Sequence, residues 1–270
     1  MTVGKAVAIR DNRAMPDSPL VPSSIAAALG PLAAHFDVEV LAECDSTNAR
    51  LQARADAASG TVLVAERQTA GRGRMGRTWI SDAGASLTFS LLWRLPAGAS
   101  PSGLSLAVGV AVAEALRGQG VDGVALKWPN DILRHGKKLG GILIELAGSA
   151  AVVGIGLNLR LPAGLPPEVS RGATAIGGVI DRNALLPALL ASLHGVLEQF
   201  GPGGFAALRD RWQALNAYAG APVRVIAEFA VPVEGICIGA DVDGALLLET
   251  AVCVQRILSG DVSLRPVKSA

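Results

Sequence analysis

Arg72, Arg74 and Arg77 fall within one glycine-rich run, Gly71-Arg72-Gly73-Arg74-Met75-Gly76-Arg77, that closes on Trp79. Guanidinium groups carry fixed charge and a planar fork that fits phosphate and carboxylate oxygens. Glycines let successive backbone N–H groups turn toward an anion. The pattern points to anion chemistry on an open loop, expected to be mobile when empty and to order around its ligand. The same residues satisfy G-x-G-x-x-G, but a dinucleotide turn also needs a helix opening at the loop and an acidic residue about 20 positions on. Here the chain runs on into a turn and a strand-like segment, and Pro96 and Ala97 stand at that distance. No V-A-I-K or H-R-D set accompanies the loop, so a kinase glycine loop fits no better.

Four further clusters bear polar groups that could share a site. Lys127-Trp128-Pro129-Asn130-Asp131 sets Lys, Asn and Asp around a proline that biases Trp128 toward extended geometry, so a rigid strand end is expected. A polar turn with a half-buried Trp is the plainer alternative. Lys138 heads an apolar run in which Gly140 and Gly141 permit a bulge or close backbone approach. Asp45-Ser46-Thr47-Asn48 reads as a helix cap, which alone could account for it. Asn158 ends an apolar strand, either satisfied in the core or reaching into a site. His35, His135 and His194 are scattered with no second ligand at metal spacing, and no G-x-S-x-G elbow occurs. His194 reads as a core or rim histidine, the other two as surface residues.

The elements that position these residues are legible from periodicity. Residues 61–68 read as a strand leading into the arginine loop. Residues 86–95 alternate, with Leu87, Phe89, Leu91 and Trp93 on one face and Thr88, Ser90 and Arg94 on the other, as in a half-buried strand. Ser102 is placed to cap a helix carrying Leu104, Ala107, Val108, Ala111 and Val112 at helical spacing. The runs from Lys138 and to Asn158 read as a strand pair joined at Gly148-Ser149, and helices are expected near 183–200 and 205–216. A short helix is expected at 23–29. After Gly220 the chain turns to short strands with a hairpin signal at Asp243-Gly244. Mixed strands and helices suggest α+β for the main part. We expect an N-terminal extension over 1–40, a main domain over 41–218 and a small all-β barrel over 219–270.

Composition narrows the function classes. Of the 270 residues, 50% are hydrophobic and 17% charged, which indicates a globular chain with a sizeable core. The formal net charge of +1 makes no case for DNA binding. Cys44, Cys237 and Cys253 lack C-x-x-C spacing, and three is odd, which fits a reducing cytoplasm. No leader-like apolar region opens the chain, and apolar runs such as 104–113 stop short of the roughly 20 residues a spanning helix needs.

Taken in order, S-T-N, Q-T-A-G-R-G-R-x-G-R-x-W, K-W-P-N-D and K-L-x-G-I-L closely resemble the biotin protein ligases, also called holocarboxylase synthetases, from about Glu43 to Asn158. The resemblance implies an α+β fold in which a mixed sheet flanked by helices, class II synthetase-like, precedes a small SH3-like β-barrel. It implies that biotin and ATP give biotinyl-AMP and pyrophosphate, and that a lysine of a biotin carboxyl carrier protein then takes the biotinyl group. By position, Lys138, Arg74, Lys127 and Asp131 would be catalytic, with Asp131 orienting the incoming lysine or taking its proton. Ser46, Thr47, Asn48, Gln68, Arg72, Gly73, Arg74 and Lys138 would bind biotin, and Arg72, Arg74, Arg77, Trp79, Asn130 and Asn158 the nucleotide. No protein-held metal is implied, Mg²⁺ accompanying ATP. Ile80 departs from the family, where an aromatic commonly follows Trp79. The full GRGRxGR and KWPND motifs argue against the related lipoate ligases. The N-terminal region has no room for the DNA-binding domain of regulatory members, so we expect no DNA or membrane partner and a monomer or weak homodimer.

Overall fold

The computed structural model describes residues 19–54, 56–161, 165–178, 180–227, 231–258 and 262–267. Expectations for residues 1–18 lie outside them. Helix α1 (Pro22–Leu29) precedes β1 (Asp37–Cys44), α2 (Thr47–Gln52), β2 (Thr61–Gln68), β3 (Ser86–Arg94) and α3 (Leu104–Gly118). Then come β4 (Val124–Lys127), β5 (Asp131–Arg134), β6 (Lys137–Ala147), β7 (Ala150–Asn158), α4 (Pro167–Gly172), α5 (Arg182–Gly203) and α6 (Arg209–Leu215). The seven strands form one mixed sheet in the order β1-β2-β3-β7-β6-β5-β4, with β1 and β2 parallel and the other neighbours antiparallel.

Period-2 alternation decides which side chain meets which layer. Val62, Val64, Leu87, Phe89 and Leu91 point toward α3, α5 and α1, joining one large core. Leu63, Leu92 and Val152 face the other way and pack with Leu51 of α2. Leucines 185, 186, 189, 190, 193 and 197 recur at helical spacing along α5 and are all buried. Each such side chain contributes roughly 1.5–3 kcal/mol when removed from water. By length and composition α5 could cross a bilayer, but its apolar residues are spent on this core. Glu66 and buried Arg182 form an ion pair that ties the start of α5 to β2.

Strands β8 (Pro222–Ala227), β9 (Val233–Ala240), β10 (Leu246–Glu249), β11 (Val254–Ile257) and β12 (Val262–Pro266) form a separate five-stranded antiparallel sheet, consistent with an SH3-like unit. The Asp243-Gly244 turn forms as expected: Gly244 has φ 82°, and Asp241 Oδ1 accepts from the Asp243 and Ala245 amides at 2.9 Å. The Trp128 indole, wholly buried, donates to Gly244 O at 3.0 Å and stitches this turn to the main sheet.

Several sequence expectations need correction. β3 is not half-buried: Thr88 and Ser90 are covered as fully as Phe89, because α2 lies over their face. Ser102 does not cap α3. Gly103 does, at φ 76°, because a β-carbon there would sit 2.5 Å from Phe205 Cβ. The KWPND segment is the turn of the β4–β5 hairpin, with a cis Trp128–Pro129 bond, rather than a strand end. Residues before 41 supply Ile25 and Leu29 to the core and the first half of β1, so that part of the expected extension belongs to the main body. His35 and His194 are far apart in sequence but their ring centroids lie 4.5 Å apart, tilted at 38°.

Candidate functional site

A single pocket on the α2 face of the sheet gathers residues from every motif except Asn158. Its closed end is polar by construction. Ser46 caps α2, its hydroxyl accepting from Ala49 N at 3.4 Å, which turns Thr47 and Asn48 inward, both buried. Gln68 at the end of β2 accepts from Thr47 N at 2.8 Å and from the Thr47 hydroxyl at 3.1 Å. An amide N–H only donates, so the Gln68 oxygen must face Thr47 and its Nε2 is turned the other way. Ser90 of β3 places its hydroxyl 2.7 Å from Thr47 Oγ1 and 2.5 Å from Asn48 Oδ1. The floor is β7, where Gly154 and Gly156 leave room: a β-carbon would lie 2.3 Å from Asn48 Oδ1 at the first and 2.4 Å from the Trp79 ring at the second.

The arginine loop is a flap built like a hairpin. Gln68 bridges Ser81 and Arg72 bridges Thr78, Trp79 N donates to Gly71 O at 2.9 Å, and Gly73 N donates to Arg77 O at 2.7 Å. Gly71 is required at the neck, since a β-carbon would meet Trp79 O at 2.4 Å. The tip turns through Met75 at φ 58° and Gly76 at φ 66°. The three arginines diverge. Arg74 Nη1 reaches Asn130 Oδ1 at 3.4 Å inside the pocket. Arg72 swings to the outer rim and donates to Gln52 Oε1 and Glu145 Oε2, each at 3.0 Å. Arg77 stays exposed at the mouth, near the Met75 sulfur. Trp79 lies on the Gly156 floor, its Nε1 3.4 Å from Thr88 Oγ1.

The opposite wall is a lysine–aspartate–lysine cluster made by the β4–β5 hairpin and β6. Asp131 Oδ2 accepts from Lys127 Nζ at 3.0 Å and Oδ1 from Lys138 Nζ at 2.5 Å. Lys138 reaches it through a bulge: Ile132 pairs with Gly140 and Leu133 with Lys138, leaving Leu139 unpaired and buried. Burial pushes the Asp131 carboxyl up, but the charges of Lys138 and Lys127 and their hydrogen bonds outweigh it and hold it below the usual carboxylate range. Burial lowers the Lys127 ammonium, only partly offset by Asp131, with Arg265 pulling it down further. The net result is a cationic wall around one fixed anion.

Asn158 stands outside the lining. Its Nδ2 donates to Thr174 O at 3.0 Å, and its backbone holds Ile176. Six contributors carry no mark in the sequence that ties them to a site. Ser90 and Thr88 were visible as the polar phase of β3 but looked solvent-facing. Gly154 and Gly156 alternate within an apolar run, a signal for close approach on one face. Arg265 and Leu264 come from β12, far off in sequence, and no local pattern marks them. Among the described residues no group of three or more His, Cys, Asp or Glu side chains stands together.

Residues 41–161 match the biotin/lipoate A/B protein ligase family. The chain is 40% identical over 238 residues to the bifunctional ligase/repressor BirA of Escherichia coli, covering 84% of this chain and 74% of that protein. It is 37% identical to the biotin–[acetyl-CoA-carboxylase] ligase of Mycobacterium tuberculosis, covering 83% and 88% of the two chains. The biotin protein ligase of Aquifex aeolicus, solved with biotin and ATP, superposes with a TM-score of 0.76 at 33% identity, covering 86% of this chain and 99% of that one. By sequence and fold alike, this chain belongs to the biotin/lipoate A/B protein ligase family.

Proposed function

We propose that this chain is an ATP-dependent biotin protein ligase that makes biotinyl-5′-AMP in the pocket and transfers the biotinyl group to a lysine of a biotin carboxyl carrier protein. The reading is carried by one observation: a neutral hydroxyl-and-amide end and a cationic wall share one cavity beneath a flap. Biotin has the same division. Its ureido ring offers N–H donors and a carbonyl without charge, and its carboxylate is an anion. Ser46, Thr47, Asn48 and Gln68 hold the ring, with Ser90 completing the set. The acyl chain passes over Gly156 beside Trp79 toward Lys138.

A carboxylate attacking an α-phosphate brings two anions together, which preorganised positive charge relieves. Lys138 stands where the carboxyl and α-phosphate meet. Arg74, Gly73 and the rim arginines cover them from the flap, with Lys127, Asn130 and Arg265 on the nucleotide side. The carboxylate oxygen bonds to the α-phosphorus and the bond to the β-phosphate breaks, releasing pyrophosphate. Mg²⁺, which neutralises triphosphate charge, would arrive on ATP, since the pocket offers Asp131 as its carboxylate and that group is engaged by two lysines. In the second step the amine nitrogen of the acceptor bonds to the acyl carbon, the acyl–phosphate bond breaks, AMP leaves and the amine proton passes to solvent. A carboxylate held below its usual range is a poor proton store, so Asp131 orients the arriving amine rather than keeping its proton. A closed flap keeps water from the anhydride.

Three free cysteines and the carboxylase ligases among the relatives support a cytoplasmic enzyme serving acetyl-CoA carboxylase. Pyrophosphate exchange into ATP tests the reading. Biotin should drive exchange and lipoate should not. Exchange with lipoate alone, or with neither acid, would overturn it.

A further inference from the structure

We infer that Glu145, on β6 outside the pocket, is a positioning residue that couples the ring-binding end of the pocket to the root of the flap. This rests on the reading of the pocket above. Glu145 Oε2 accepts from Arg72 Nη2 at 3.0 Å and from Asn48 Nδ2 at 2.9 Å. It is thus bonded to the flap and to the buried end of the site at once. Its side chain is 23% exposed, so these charge-assisted bonds are partly shielded from water.

The bonds also fix the direction of the hydroxyl chain behind Asn48. Asn48 Nδ2 donates to Glu145 and, at 3.2 Å, to Leu143 O, so its oxygen must face Ser90. That oxygen only accepts, so the single hydrogen of the Ser90 hydroxyl belongs to the 2.5 Å contact with Asn48. The one Thr47 hydrogen is then shared between the 2.7 Å contact with Ser90 and the 3.1 Å contact with Gln68 Oε1. The chain therefore runs Thr47 to Ser90 to Asn48 to Glu145, and its anionic end sets the sense of every link. Thr47 is left with its lone pairs free, an acceptor suited to a ligand N–H. Cooperative polarisation along such a chain strengthens it beyond its separate pairs. A ring that occupies Thr47 and Gln68 tightens the link through Asn48 to Glu145 and so to Arg72, where the flap is rooted beside Gln52.

The test uses the full chain with Glu145→Ala and Glu145→Gln. Glutamine can keep an oxygen between the two donors but not the charge, so it should rescue part of the loss. Glu145→Ala should raise the KM for biotin in pyrophosphate exchange about tenfold, the scale of a lost charge-assisted bond. It should leave kcat within about threefold, because no reacting atom is touched. Released biotinyl-AMP, trapped with hydroxylamine, should rise about as much. Arg72→Gln should also raise the KM for biotin and the release, and the double variant should raise that KM no further than Glu145→Ala alone, which two independent losses would not produce. Unchanged KM and release in Glu145→Ala, or full additivity in the double variant, overturns the inference alone. Absence of biotin-dependent exchange in the unaltered chain overturns the reading of the pocket and the inference with it. Biotin protection of the flap from trypsin, present in the unaltered chain, lost in Glu145→Ala and partly kept in Glu145→Gln, reads the coupling even where turnover is low.

Discussion

Replacing Lys138 by alanine separates catalysis from stability in this pocket. Its Nζ lies 2.5 Å from Asp131 Oδ1, and Asp131 keeps Lys127 at 3.0 Å when Lys138 is gone. The lysine side chain is 41% exposed, so its pair with Asp131 is screened, and its loss should cost the fold under about 1 kcal/mol. Its chemical part is larger. One preorganised donor aimed at developing charge is worth about 10² to 10³ in kcat. Exposure puts Lys138 at the lower end, about 10²-fold, or roughly 2.7 kcal/mol of transition-state stabilisation. Biotin-dependent pyrophosphate exchange should therefore fall about a hundredfold while the thermal midpoint moves by only a few degrees. Lys138→Arg, which keeps charge but spreads it over a wider plane, should recover only part of the rate. An exchange rate within about threefold of the unaltered chain would refute the role given to Lys138. A collapse of the midpoint would show that the cluster serves the fold instead.

Arg74→Gly should leave adenylation working but let the intermediate escape, so that bystander lysines are biotinylated; labelling confined to the carrier would contradict it. Asp131 is held below the usual carboxylate range, so its stabilisation is complete above a pH of about 4 and is lost as pH falls through its depressed folded value. The difference in urea midpoint between the unaltered chain and Asp131→Asn should thus shrink on going from about pH 6 to about pH 3, and a constant difference would refute the assignment. Gly156→Ala puts a methyl group 2.4 Å from the Trp79 ring, so biotin affinity measured by calorimetry should fall at least about tenfold. Arg265→Ala removes a cation that β12 lends to the pocket, and should raise the KM for ATP several-fold with little change in that for biotin.

What the sequence showed well was whatever depends on local pattern. β2 spans residues 61–68 as expected, β6 and β7 pair across Gly148-Ser149, and Ser46 caps α2. The polar motifs meet in one cavity because each ends an element on the same side of one sheet. What stayed hidden depends on layers. Thr88 and Ser90 alternate with apolar residues, and alternation cannot say whether the polar face meets water or a lined pocket. Arg72, counted with its neighbours as an anion binder, turns outward because Glu145 and Gln52 wait at the rim. Arg265 reaches the pocket from the second sheet, which the Trp128 indole at the Gly244 turn and Arg209 at Ala240 O hold against the main body. The pattern of KWPND predicts a rigid strand end, whereas the segment joins β4 to β5 as a hairpin, which places Lys127 and Asp131 opposite each other as a pair.

The account turns on whether the flap and the cationic cluster enclose an activated biotin. The most direct measurement is the mass of a biotin carrier domain after incubation with this chain, biotin, ATP and Mg²⁺, with an unrelated lysine-rich protein in the same tube. One biotinyl group on the carrier, none on the bystander and none without ATP is the predicted result. An unmodified carrier in the presence of folded protein, or a carrier modified equally well without ATP, would contradict the account.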